Sequence, residues 1–481
     1  MPSLRRCAAA LSLLLLAGAA GTPTLETAAA AAEPASAGSS GIGDAYFPRD
    51  GNGGYDVTHY DIHDTYRLRS GDLTGRTTVT ATATQDLASL SLDLMLTPDA
   101  VRVNGAPATF AKSGRHELVV TPATPVASGA PLVVEVRYHG TPRLLGWGGE
   151  RPFLATPGEA MATNQPHIAP WWFPVDDHPQ DKALYDITVA VARGHQVVSN
   201  GTLVGHRTSG AWTSWHWRET SPMASYLAFF AAGRFRIQSG TSYGVPWTVA
   251  VSKAFDRSTQ DQQLRLLRRS PGIVHWLETQ FGPYPFDSTG GVVTSLFTGF
   301  ALENQTRPTY PFLGVGHQAH SVVVHELAHQ WFGDQVSVRR WRDIWLNEGF
   351  ATWAEWRFDE AHGGPSAWRR LQREYASHPA GDPFWRLRIA DPGPARLFDQ
   401  PVYDRGGMAL QALRHRIGTR AFLTVLRTWV QRHADAAHGT GTVEELEALA
   451  AQVSGQDLGG FFTAWLHTGA RPAATAANGL R

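Results

Sequence analysis

SVVVHELAHQWFG, residues 321–333, places two histidines and an acid inside an apolar run. If the run is an α-helix, residues four apart share a face, so His325 and His329 point two imidazoles at one ion. Glu326 lies one step round, beside that ion, where a carboxylate can take a proton from an attacking water. Catalytic zinc takes three protein ligands and keeps one position open. The segment WLNEGFATWAEW supplies the third as Glu348, with eighteen residues between it and His329. Glu355 follows two turns later on the same helix face, placed to accept the outer N–H of a ligand histidine and set its tautomer. The three valines before the motif are core-forming. The opposing reading is a core helix that happens to carry His-Glu, and the second segment at this distance argues against it. His317 and His320 read as surface or helix-start residues, with His320 off the ligand face.

Outward from this stretch, the text changes period. TTVTATAT, LSLDLML, LVVEVRYHG, YDITVAVA and TSWHWRE alternate or run β-branched between Gly, Pro and Asn breaks, as strands do. Residues 44–240 are therefore expected to form a β-rich domain. Helical period dominates 241–481, with candidates at 258–280, 319–335, 346–362, 405–415, 420–433, 442–454 and 458–467. The fold class is multidomain, β followed by a mainly helical α+β unit. The 481 residues fit roughly two to four domains.

MPSLRRCAAALSLLLLAGAAG begins with Arg5 and Arg6, then an apolar run over 7–21. It reads as a secretory signal, assigned to 1–32, with cleavage near Ala20 or later in TAAAAAEPA. The run is shorter than the ~18–20 residues a spanning helix needs, so no stable membrane span is expected. An uncleaved signal acting as an anchor is the alternative to a secreted product. Residues 33–43, rich in Ala, Ser, Gly and Pro, read as a disordered linker. Cys7 is the one cysteine, so an exported mature chain would have no disulfide. Lys+Arg and Asp+Glu both number 42, which leaves no bulk basicity for nucleic acid.

HELAHQWFG followed by WLNEGFA resembles the aminopeptidase N family of zinc metallopeptidases, gluzincins related in their catalytic domain to thermolysin. GFALENQT resembles the family's GxMEN segment through Ala301, Leu302, Glu303 and Asn304, with Phe300 where the family has glycine. The resemblance implies that Glu303 binds the substrate's α-amine and that Ala301 and Asn304 belong to the substrate-binding edge. TNQPHIAPWWFPVDDHPQDKALYDITV resembles the family segment that carries a substrate-amine glutamine, here Gln165, reaching across from the β domain. Trp171 and Trp172 in it read as packing residues. PVYDRGGMALQALR resembles the VYxKG segment, which makes Tyr403 the oxyanion donor, with Arg405 for lysine as a change expected to matter little.

The implied architecture is a saddle-like β domain on a thermolysin-like catalytic domain. The implied activity is release of the N-terminal residue from peptides with a free amine, using one Zn²⁺ per chain. Sequence alone leaves Co²⁺ and Mn²⁺ open for that ligand set. The chain is too short for the further domains of larger members, which implies a more open cleft. Three alternatives stand beside this reading: a thermolysin-type endopeptidase, a hydrolase of another small substrate, and a non-catalytic scaffold of the same fold.

Overall fold

The computed structural model describes residues 34–434 and 439–481. The expected signal peptide, Cys7 included, lies outside the described residues. From Ala35 to Arg481 the chain packs as one compact unit. No described helix is long and apolar enough to cross a membrane.

The strand-like text forms open sheets. The largest has eight strands, in the order Thr202–Ser209, Trp212–Ala224, Lys182–Ala192, Tyr55–Arg67, Asp72–Ala83, Pro131–Gly140, Thr97–Val103 and Ala106–Pro107. All neighbours are antiparallel except Lys182–Ala192, which runs parallel to Tyr55–Arg67. Alternate residues of Tyr55–Arg67 are buried, among them Tyr60, Ile62 and Tyr66. That is the period-two pattern of a sheet with one face on the core. A four-stranded sheet of Ser36–Ala37, Leu87–Asp93, Glu117–Thr121 and Thr109–Ser113 lies in the same half. Another joins Phe153–Ala155, Ala160–Ala162, Phe230–Gly233 and Gln196–Ser199.

The expected linker is ordered over its described part. Ser36 N–H donates to the Asp86 carbonyl at 2.9 Å and Gly38 N–H to that of Ser89 at 2.8 Å. Small residues permit this: a Cβ at Gly38 would stand 2.4 Å from the Gly53 carbonyl oxygen. Composition mimicked a linker because close strand approach and disorder favour the same residues. The boundary at 240 also needs correction. It cuts a hairpin, Phe235–Ser242 with Val245–Ser252, that continues into Thr289–Val293 and Thr309–Tyr310 as the helical half's own sheet.

Nine helices are described: α1 Arg257–Leu267, α2 Ser270–Phe281, α3 His317–Ala328, α4 Trp345–Ala361, α5 Ala367–Ser377, α6 Gln400–Ile417, α7 Thr419–Ala434, α8 Val443–Ser454 and α9 Gly459–Phe462. The helix expected at 258–280 is two, because Pro271 lacks an N–H and is accommodated in a first turn. The one expected at 319–335 stops at Ala328. Past its cap at His329 the chain runs through turns to Gly333, at φ 132°, where a Cβ would press to 3.3 Å on both Asn347 Nδ2 and His329 Nδ1. α5 was missed, although Ser366 caps it by accepting from Arg369 N–H at 3.2 Å.

α4 is buried around almost its whole circumference, with Trp345, Phe350, Trp353 and Trp356 all inside, so it is a core helix. Each such side chain contributes about 1.5–3 kcal/mol by leaving water. α4 meets α6 backbone to backbone: a Cβ on Gly349 would lie 2.9 Å from Gly406 Cα, and one on Gly406 2.7 Å from Gly349 Cα. This crossing sets what α6 carries against what α4 carries.

Candidate active site

α3 and α4 bring the three expected donors together. His325 Nε2 lies 3.3 Å from Glu348 Oε2, and His329 Nε2 lies 3.4 Å from the same oxygen. Tetrahedral ligands at ~2.0–2.2 Å from zinc stand roughly 3.3–3.6 Å from one another, so the donor set and its spacing fit that ion. Both imidazoles have their outer nitrogens engaged. His325 Nδ1 is 2.6 Å from Glu355 Oε1 and His329 Nδ1 is 3.0 Å from the Phe332 carbonyl. Both contacts put the proton on Nδ1 and aim the Nε2 lone pair inward. Glu355 was expected in this place; the Phe332 carbonyl was not, since the turn that presents it exists only because α3 stops at Ala328.

Burial would push the Glu348 carboxyl up, but His329 and His325 hold it down at about 2. Burial pushes the Glu326 carboxyl to about 8, against the pull of the same imidazoles.

The three donors, Glu326, Glu303 and Tyr403 all line a cleft of about 370 Å³. Tyr403 lies in the first turn of α6, its ring centroid 6.0 Å from that of His325. The helix begins at Gln400, earlier than the expected 405, because Pro401 is tolerated in a first turn. Tyr403 is one turn before Gly406 and Glu348 is next to Gly349, so the glycine crossing places the phenol over the ion-binding face.

Glu303 is 2 % exposed. One ligand atom from each of Glu303, Glu326 and His329 lies within 4.8 Å of the others. Gln165 Nε2 donates to Glu303 Oε1 at 3.3 Å, across from the β half as expected, and Tyr226 O–H donates to the same oxygen at 3.1 Å. Tyr226 carried no signal in the sequence, since SYLAFF reads as core. Gln330 was also missed. It donates to the Glu303 carbonyl at 3.1 Å and accepts from Thr306 N–H at 2.8 Å, tying the ALEN segment to the end of α3.

Of the remaining expected residues, Ala301 lines the cleft. Asn304 does not. Its amide donates to the Leu227 carbonyl at 2.9 Å and its oxygen accepts from the Thr163 and Thr309 hydroxyls. Its side chain holds the ALEN segment in place, which corrects the expectation of substrate contact. Phe300 and Phe398 form exposed apolar rims of the cleft. Trp171 and Trp172 are fully buried packing residues. His317 is largely exposed and pairs with Asp359 at 3.0 Å; His320 stays outside the cleft lining. Arg405 is no neutral replacement for lysine. Fully buried, it donates to the carbonyls of Trp385, Leu387, Ala464, Thr468 and Ala470. An ammonium has three donors and cannot serve that fan.

Residues 57–227 match the family description "Peptidase M1 N-terminal domain" and residues 271–465 match "Peptidase family M1 domain". Aminopeptidase M1-D of Oryza sativa subsp. japonica is 28% identical over 414 residues, covering 79% of this chain and 46% of the rice protein. Aminopeptidase N of Lactococcus lactis subsp. cremoris (strain MG1363) is 28% identical over 336 residues, 64% of this chain and 38% of that protein. The chain thus spans less than half the length of these curated relatives. Among solved structures, the M1 zinc metallopeptidase from Deinococcus radiodurans superposes with a TM-score of 0.77 at 26% identity, over 92% of this chain and 96% of that one. A mutant of it bound to a Tyr-Ser-Ala substrate gives 0.78 at 26% identity, over 91% and 99%.

Proposed function

The chain belongs to peptidase family M1, and on that premise we propose that it is a zinc-dependent aminopeptidase that removes the N-terminal residue of peptides. His325, His329 and Glu348 would hold one Zn²⁺, which when bound supplies a Lewis acid for the scissile carbonyl and lowers the pKa of water. Glu326 takes the proton of the attacking water and returns it to the leaving nitrogen. The Tyr403 hydroxyl donates to the oxyanion that develops on the carbonyl oxygen. Glu303 accepts the substrate ammonium in a charge-assisted hydrogen bond. Gln165 gives its N–H to Glu303 and keeps its amide oxygen for the same ammonium.

The observation that carries this reading is the grouping of Glu303, Glu326 and His329 within 4.8 Å. A buried carboxylate that close to the base leaves room for one residue between the amine and the bond to be cut. A chain continuing past that point would set its backbone against Glu303, which is the physical case against an endopeptidase. The tripeptide held by the Deinococcus relative is in keeping with a peptide substrate. Phe300, Leu302 and Phe398 give the cleft apolar walls, which suits an apolar N-terminal side chain. Export of the chain is part of the proposal and rests on the basic and apolar pattern of 1–32.

The test pairs leucyl-p-nitroanilide with its N-acetylated form, each with and without a chelator. Cleavage of the free-amine substrate alone, abolished by the chelator, is expected. Cleavage of both would place the activity among endopeptidases, and chelator-resistant cleavage would remove the metal from the reaction.

A further inference from the structure

A second histidine–carboxylate cluster lies in the β half, outside the cleft. Leu87–Asp93 and Glu117–Thr121 are antiparallel neighbours, and their register sets Asp93 directly opposite Glu117. Like charges opposite one another destabilise a strand pair, and here both are buried, at 1 % and 4 % exposure. His116, equally buried, completes the group. Its Nε2 is 3.7 Å from Asp93 Oδ1 and 3.5 Å from Glu117 Oε1, and one ligand atom from each residue lies within 4.8 Å of the others.

We propose that Asp93, His116 and Glu117 form a second divalent-cation site. The separations are close to those at the catalytic donors and to the roughly 3.3–3.6 Å expected around a tetrahedral ion. The unused hydrogen-bonding capacity points the same way. Asp93 Oδ1 has no hydrogen-bond partner, whereas the Ser91 side chain hydrogen-bonds to Glu117. The other Asp93 oxygen accepts from Asn52 Nδ2 and Asp177 N–H, both at 3.0 Å. Asp93 is thus held by one oxygen and presents the other, as an outer partner makes a ligand carboxylate do.

Lys112 and Arg49 are close enough to draw the Glu117 carboxyl down, yet neither makes an ion pair with Asp93 or Glu117 among the described residues. Lys112 gives its ammonium to the Leu94 carbonyl, and the Arg49 carbonyl oxygen, 3.4 Å from His116 Nε2, accepts the proton of that nitrogen, which an ion would displace on binding. One imidazole and two carboxylates suit Zn²⁺ or Mn²⁺ better than Ca²⁺ or Mg²⁺, which favour oxygen alone.

Such an ion would brace the amine-binding end of the cleft from behind. Asp177, bonded through its N–H to Asp93, accepts from the Ser225 hydroxyl at 2.6 Å, and Ser225 precedes the Tyr226 that holds Glu303.

The test counts metal. The full chain is stripped with a chelator, dialysed against Zn²⁺ or Mn²⁺, and its metal measured per chain. Two equivalents are expected in the wild type, one in His325→Ala/His329→Ala, and none when Glu117→Gln is added. One equivalent in the wild type and none in the folded double variant overturns the proposal. Should the triple variant not fold, anomalous scattering at the metal edge from wild-type crystals decides. A peak among the three side chains supports the site, and a peak confined to His325, His329 and Glu348 refutes it. Absence of metal from the catalytic donors would overturn the proposed function on a separate peak, leaving the second site to be judged by its own.

Discussion

The catalytic donors and the cluster at Asp93 use the same chemistry, imidazole beside carboxylate in a dry setting, yet the chain builds them in opposite ways. His325 and His329 meet because a helix repeats every 3.6 residues, and Glu348 joins them from the next helix down the chain. Asp93 and Glu117 meet because two strands pair in one register out of several, with no local period linking them. Outer contacts follow the same division. Glu355 is two turns from Glu348 on one helix, whereas Asn52 and Asp177 come to Asp93 from distant segments. A site written in helical period announces itself, and a site written in strand register is silent until the sheet forms.

Substitution at the catalytic cluster probes this contrast most strongly. Glu326→Gln should lower kcat/KM by ~10³-fold while zinc content stays at the wild-type level, because the ligands and their outer partners are untouched. Loss of zinc together with rate would mean that Glu326 holds the site rather than serving as its base. Glu355→Gln should weaken zinc binding by roughly 10–100-fold, read by competition with a chromogenic chelator. An unchanged affinity would show that the 2.6 Å contact to His325 Nδ1 does no orienting.

The non-local device of the catalytic half is the crossing of α4 and α6. Gly406→Ala should cost about 1–3 kcal/mol through overpacking, seen as a lower Tm, and should reduce kcat more than zinc content. Tyr403 moves with α6, whereas the ligands lie on α3 and α4. Equal losses of kcat and zinc would mean that the crossing supports the whole site and not the phenol in particular.

A pH-dependent effect on stability lies in the β half. Burial holds the Glu219 carboxyl at about 8, up from 4.5. The folded chain keeps a proton there that the unfolded chain gives up near 4.5, so this stabilisation is complete below that pH and is lost as pH rises toward 8. Between pH 5 and 8 the Tm of wild type should fall relative to that of Glu219→Gln, which does not titrate. Parallel Tm profiles would show that Glu219 is ionised in the fold.

The residues themselves show how far sequence reading reached. His325, Glu326, His329, Glu348 and Glu355 were legible because two helices carry them at helical spacing. Glu303, Gln165 and Tyr403 were legible through resemblance alone, and the structure brings them to the same cleft. Asn304 was misread because it adjoins Glu303 in the motif, while its amide serves the Leu227 carbonyl behind the cleft wall. Arg405 was undervalued because sequence shows a charge and not the five carbonyls arranged around it. Residues 34–43 were misread because small residues mark both linkers and tight strand contacts.

By itself the sequence determined the order of β and helical halves and the grouping of His325, Glu326, His329, Glu348 and Glu355, since each rests on a period of 2 or 3.6 that the chain carries locally. Tertiary structure alone decided three things: that Tyr226 and Gln330 hold Glu303, that two glycines set Tyr403 over the ion-binding face, and that Asp93 faces Glu117. Each of these is a meeting of distant segments, chosen by packing and strand register, and no stretch of sequence contains both partners.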